Sequence, residues 1–142
     1  MSRRGTIMAV ILALAAATPV AAVTPAPAGG DLWLNPHRSV AVHMGSCGDR
    51  LCGWIVWANE EALSDAHDAG IDHLVGTTLL QDYRPSGVRR WKGTVFVPDM
   101  GHSFASEIDE INPGALKVKG CVLGGLICKS QIWTRIASVP RA

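Results

Sequence analysis

The chain has 142 residues, a length that allows one domain and little else. Its 13 lysines and arginines nearly balance its 12 aspartates and glutamates, and this net charge of +1 argues against nucleic acid as the main partner. Hydrophobic residues make up 48% of the chain, which is too large a share for a disordered protein.

The N-terminus has the three parts of a secretory signal peptide. Two arginines give a charged start, an apolar run follows over residues 7–17, and small residues end at Ala22. The run is about half the roughly 20 residues that a membrane span requires, so cleavage after residues 1–22 is expected, with no transmembrane segment in the mature chain. Residues 23–30 form a Pro/Ala/Gly-rich linker that is expected to be flexible. A periplasmic or secreted protein with one domain over residues 31–142 is therefore predicted.

Four cysteines lie beyond the leader: Cys47, Cys52, Cys121 and Cys128. An even number of cysteines in an exported chain suggests disulfides. We favour Cys47–Cys52 and Cys121–Cys128, because each pair brackets a short turn that would bring two strands to disulfide distance. The alternative is a zinc site made of all four thiolates, although the spacings C-x4-C and C-x6-C are not those of the usual C-x2-C pairs. The sequence predicts no cofactor and no metal.

Short apolar runs alternate with turn residues along the rest of the chain. Eight strands rich in Val, Ile, Thr and Trp are predicted over residues 32–35, 39–47, 51–58, 77–83, 89–97, 102–109, 116–122 and 129–136. This spacing is typical of an antiparallel sandwich or barrel. Residues 59–74 lack the alternation, and Asn59 is suited to cap a short helix that begins at Glu60. An excursion, part helix and part loop, is therefore expected after the third strand.

Several short motifs occur in an order that resembles one bacterial family. They are CGDRLCGWIVW at 47–57, WKG at 91–93, VPDMG at 97–101, LKVKGC at 116–121 and WTR at 133–135. Together they resemble the domain-of-unknown-function family 2147, whose members are small exported bacterial proteins. The resemblance implies an all-β fold, namely a small antiparallel eight-stranded barrel like that of lipocalins or fatty-acid-binding proteins. It implies no reaction.

The same resemblance gives two residues a structural role. Lipocalin-like barrels often pack a tryptophan of the first strand under an arginine of the last strand, at the closed end of the barrel. Trp33 and Arg135 occupy the matching positions, and a guanidinium over an indole stabilises by about 0.5–2 kcal/mol. The alternative is that Arg135 is a charge facing solvent.

An eight-stranded barrel encloses room for side chains or for one small ligand. Alternation along the strands places nine apolar residues on the predicted inner wall: Val40, Val42, Met44, Ile55, Trp57, Val95, Val97, Leu116 and Val118. If they surround a cavity of about 300 Å³ or more, the protein is expected to bind a small apolar or amphipathic molecule without catalysis. If they fill the interior, the alternative is an interaction module that contacts another envelope protein or the cell wall.

No catalytic residues are predicted. The sequence lacks the nucleophile motif G-x-S-x-G, and the cysteines are expected to be oxidised. Glu107 and Asp109 share one strand face at a separation, roughly 7 Å, that a glycosidase pair can have, but an exposed acidic face is the expected interpretation. The Asp/His cluster within residues 65–73 lacks the spacing of known metal sites and is expected to be a solvated loop.

Overall fold

The computed structural model describes residues 16–18 and 31–141. Apart from residues 16–18, the predicted signal peptide and linker lie outside the described residues. Residues 31–141 form a closed antiparallel barrel in which each of eight strands pairs with the next and the last pairs with the first. The strands are β1 (Leu32–Leu34), β2 (Val40–Cys47), β3 (Arg50–Ala58), β4 (Thr78–Gly87), β5 (Arg90–Val97), β6 (His102–Asn112), β7 (Ala115–Val122) and β8 (Ile127–Arg135). The predicted all-β barrel is confirmed.

Helix α1 (Glu60–Asp68) follows β3, as the sequence predicted. The side-chain oxygen of Asn59 accepts a hydrogen bond from the Ala62 N–H at 2.9 Å, so it satisfies one of the free donors of the first turn. The helix buries Ala66, which is 1% exposed, and the loop after it buries Leu74. These two contacts attach the excursion to the barrel.

Strand β4 differs from the prediction, which ended it at Tyr83. The strand continues to Gly87, with register shifts against β5 on either side of Pro85. Asp82 has a φ of 54°, which marks the first irregularity. Proline is tolerated in a strand at such bulges, where the ladder needs no N–H donor. The prediction ended the strand early because Pro85, Ser86 and Gly87 are residue types that usually mark a turn.

Large buried side chains occupy one half of the barrel interior, the half that contains the β2–β3, β4–β5 and β6–β7 turns. The fully or almost fully buried side chains there include Met44, Leu51, Tyr83, Trp91 and Ile108. We call this part the filled half.

Both predicted disulfides are confirmed. Cys47–Cys52 joins β2 to β3 and Cys121–Cys128 joins β7 to β8, with Cα–Cα distances of 5.7 and 4.1 Å. Because all four sulfurs are consumed in these bonds, the alternative zinc site of four thiolates is excluded. Among the described residues, none of the helices is long and apolar enough to cross a membrane.

Candidate ligand cavity at the helix end of the barrel

The end of the barrel opposite the filled half contains a cavity of about 830 Å³. Helix α1, the 3₁₀ turn at Pro98–Met100 and the β7–β8 turn surround its mouth, and we call this end the helix end. Helix α1 and the 3₁₀ turn contact each other across the mouth. The cavity is therefore bounded by strands on its sides and by the helix at its rim.

The inner wall of the cavity is apolar and comes from four consecutive strands. Its larger side chains are Val95 and Val97 of β5, Phe104 of β6, Val118 and Val122 of β7, and Trp133 of β8. Residues two apart on a strand face the same side of a sheet, which explains why these positions converge. Gly120 lies between the two β7 valines and has no side chain, so the wall is thin at this point.

Gln131 of β8 is a polar residue within the strand wall. The amide oxygen of Gln131 accepts a hydrogen bond from the indole nitrogen of Trp133 at 3.1 Å. Within the described residues, the amide nitrogen of Gln131 has no hydrogen-bond partner. An apolar cavity with one such donor can orient a molecule that has a polar end.

The rim of the cavity is charged and faces solvent. Helix α1 contributes Glu61 and Asp65, the 3₁₀ turn contributes Asp99, and β8 contributes Lys129. Their spacing of four residues places Glu61 and Asp65 on one helix face. None of these four side chains forms an ion pair within the part of the chain that the structure describes. The mouth therefore has three carboxylates against one ammonium group, and the exposed imidazole of His37 also lines it.

The nine residues predicted for the inner wall fall into three groups. Val95, Val97 and Val118 line the cavity. Val42, Met44, Ile55 and Leu116 are at most 1% exposed and belong to the core, and Val40 packs against that core while half-buried. Trp57 is half-buried and belongs neither to this core cluster nor to the cavity wall. A register shift in the β2–β3 ladder, where Ala41 pairs with Trp57 but Val42 with Ile55, interrupts the alternation there.

Sequence reasoning missed the contribution of β6 and β8 to the wall. Phe104, Gln131 and Trp133 line the cavity, and so does Ile127 at the mouth. A signal was present in the sequence. Residues 127, 129, 131 and 133 are each two apart along β8, so their side chains face the same side of the sheet. The polar residues at 129 and 131 obscured this face, because only apolar residues were selected as candidates for the inner wall.

Trp33 and Arg135 are directly opposite each other in the β1–β8 ladder that closes the barrel. Trp33 is completely buried, whereas Arg135 is exposed. Stacking of the guanidinium on the indole remains a prediction.

The carboxylates considered as a catalytic pair are held in ion pairs away from the cavity wall. Glu107 lies 3.3 Å from Arg90, and Asp109 contacts Arg90 and lies 3.0 Å from Lys117. Partial burial alone would raise the pKa of Asp109, but the hydrogen bonds and charges of Arg90 and Lys117 hold it below its usual range. A carboxylate kept ionised in this way is poorly suited to act as a general acid.

Comparison with known proteins places the chain in a family. No curated protein and no solved structure matches it. Residues 31–135 match a family described as "Uncharacterized protein conserved in bacteria (DUF2147)". The match extends from just before β1 to the last residue of β8, and so covers the whole barrel. The chain belongs to this bacterial family, as the order of its motifs predicted.

Proposed function

We propose that the protein binds a small apolar or amphipathic molecule in the cavity at the helix end, without catalysing a reaction. The observation that carries the proposal is the cavity itself, about 830 Å³ with an apolar wall and a polar rim. Binding sites for small molecules usually measure about 300–1,000 Å³ and are mostly apolar with a few placed polar groups.

The wall suggests how such a molecule would lie. Its apolar part would contact Phe104, Val118 and Trp133, and would leave water by doing so. Its polar end would lie towards the mouth, within reach of the Gln131 amide and the charged rim. The hydrophobic effect would supply the affinity, whereas the polar groups would fix the orientation.

We further propose that the protein is exported and acts in the bacterial envelope. The signal-peptide pattern of residues 1–22 motivates this assignment, and two disulfides support it, because disulfides persist in oxidising compartments. The test is the mass of the protein isolated from the periplasm of a bacterial host. A mass that lacks residues 1–22 is expected, and a full-length protein retained in the cytoplasm would contradict the assignment.

The binding proposal is tested by titration with a fluorescent fatty-acid analogue. The informative variant is Gly120→Leu, which places a side chain in the cavity. A Cβ at Gly120 would have Val95 as its nearest neighbour, at 3.4 Å, and the glycine has no positive φ, so the backbone tolerates the change. The matched control is Ala105→Leu on the exposed face of β6.

We expect saturable binding by the wild type and by Ala105→Leu, and affinity at least roughly tenfold weaker for Gly120→Leu. Circular dichroism should show the same β content in all three proteins. Absence of saturable binding by the wild type, or equal affinity in the two variants, would contradict the proposal. The first outcome would favour the interaction module instead.

A further inference from the structure

We propose that residues 122–127, here called the mouth loop, insert into the interface of a lipid bilayer, so that the cavity opens onto the membrane. The membrane contact stands on its own observations. Entry of the ligand from the bilayer rests, in addition, on the proposed function.

The mouth loop exposes large apolar side chains at its tip. Leu123 is 68% exposed, Leu126 is 85% exposed and Ile127 is 52% exposed. Met100 of the neighbouring 3₁₀ turn is 55% exposed and lines the same mouth. Between Cys121 and Cys128 the sequence VLGGLI contains no polar side chain. Exposure of so many apolar groups to water at one tip is unfavourable. It indicates a surface that contacts a membrane or another protein.

The loop is held in this exposed shape by its own covalent and backbone structure. The disulfide Cys121–Cys128 closes its base, and the Leu126 N–H donates to the Leu123 carbonyl at 3.3 Å. Leu123 has a φ of 53°, a left-handed conformation that is costly for leucine, and two glycines with positive φ follow it. The fold therefore maintains a strained turn that directs leucines outward.

The shape of the tip favours a bilayer over a protein surface. A stable protein interface usually covers about 800 Å² on each partner, which is more than a single narrow turn can offer. Lipid can surround such a turn and cover its side chains from every direction, to the depth at which interfacial segments insert. Val88, at the opposite end of the barrel, is 92% exposed but is followed by two arginines, so it does not form a comparable apolar tip.

The charge of the rim defines the kind of bilayer. Glu61, Asp65 and Asp99 outnumber Lys129 around the mouth. An anionic surface would repel these carboxylates. The mouth loop is therefore expected to insert into bilayers of zwitterionic lipid, with little dependence on salt, because its contact is apolar.

The exposed apolar surface of the mouth loop continues into the cavity, and this connects the membrane contact to the proposed function. Ile127 and Met100 are both exposed and both line the cavity. An apolar molecule could pass from the bilayer along these side chains into the cavity without crossing water.

The test is co-flotation of the full chain with phosphatidylcholine vesicles. The variant Leu126→Asp places a charge at the tip, and Val88→Asp is the matched control at the opposite end. We expect the wild type and Val88→Asp to float with the vesicles, and Leu126→Asp to partition into them at least roughly tenfold less.

Three outcomes of this experiment would overturn the inference. They are failure of the wild type to float, equal partitioning of the two variants, and binding that needs phosphatidylglycerol and disappears in salt. Self-association that Leu126→Asp abolishes, without vesicle binding, would also overturn it.

A second measurement separates this inference from the proposed function. In vesicle-free solution, Leu126→Asp should bind the fluorescent fatty-acid analogue as the wild type does, but it should take the analogue up from vesicles more slowly. Vesicle binding without any binding of the analogue would refute the proposed function and leave the membrane contact intact. Binding of the analogue without vesicle binding would refute only the membrane contact.

Discussion

Gly93 on β5 packs so closely against β4 that no side chain fits. A Cβ at this position would lie 2.6 Å from the carbonyl oxygen of Gln81 and 2.7 Å from Cγ of Tyr83. A backbone oxygen cannot rotate away, so Gly93→Ala must displace one strand from the other. We expect the free energy of unfolding to fall by about 1–3 kcal/mol, measured by urea denaturation.

Gly45 on β2 provides the control for this change. A Cβ there would have the ring of Trp54 as its nearest neighbour, at an ordinary contact distance of 3.4 Å. Gly45→Ala should therefore leave the free energy of unfolding unchanged or raise it by up to about 1 kcal/mol, since it also restricts the unfolded chain. Similar losses in the two variants would show that the β4–β5 contact is not as tight as described.

The buried hydroxyl of Tyr83 makes the free energy of unfolding depend on pH in the alkaline range. Burial raises the pKa of its hydroxyl far above the usual range, and the Ser106 hydroxyl opposes this only in part. In the unfolded chain the same group ionises near pH 10, so above about pH 10 the unfolded state releases a proton that the folded state retains. The free energy of unfolding should then fall by about 1.4 kcal/mol per pH unit, whereas at lower pH the group contributes no pH dependence.

The chain has a single tyrosine, so its ionisation can be followed without ambiguity. Tyrosinate absorbance should appear only as the barrel unfolds, and Tyr83→Phe should remove this part of the alkaline slope. Titration of the hydroxyl near pH 10 in a protein that remains folded would contradict the burial of Tyr83.

At the scale of elements, helix α1 lies at the rim of the cavity, which Glu61, Ala62 and Asp65 line. Its N-cap is Asn59, and removal of an N-cap side chain typically costs about 1 kcal/mol. Asn59→Ala should therefore increase hydrogen exchange of the amides in residues 60–68 and accelerate release of a bound analogue.

The control for the helix is Ser64→Ala, an exposed position of α1 that does not cap it. This variant should leave both the exchange rates and the release rate close to those of the wild type. If Asn59→Ala increased hydrogen exchange in the strands as much as in the helix, α1 would not open independently of the barrel.

The strands also show how far sequence alone predicts this site. Along β7 the alternation is regular, so it placed Val118 on the inner face, and the structure has Val118 on the cavity wall. Alternation fails where an extra residue enters a strand, as at the irregularities of β4 and at Val56 of β3, because one extra residue inverts every later side chain. At Val56 neither a proline nor a glycine indicates the bulge.

At the scale of the whole molecule, the sequence predicted closure of the barrel but left open whether its interior is filled or contains a cavity. The first and last strands meet as the family resemblance implied, with Trp33 opposite Arg135. Whether the barrel is filled depends on the sum of many side-chain volumes within a fixed shape, which no single motif expresses. Large side chains such as Tyr83 and Trp91 fill one half, whereas valines and Gly120 leave space in the other.

This division of the barrel underlies the proposal that a ligand binds at the helix end. The claim that depends on it most directly is that the cavity holds a small apolar or amphipathic molecule. Native mass spectrometry of protein purified from bacterial periplasm without detergent measures this occupancy. We expect a bound species of low mass on the wild type that is absent from Gly120→Leu. An unliganded mass alone, which stays unchanged when the fatty-acid analogue is added in excess, would contradict it.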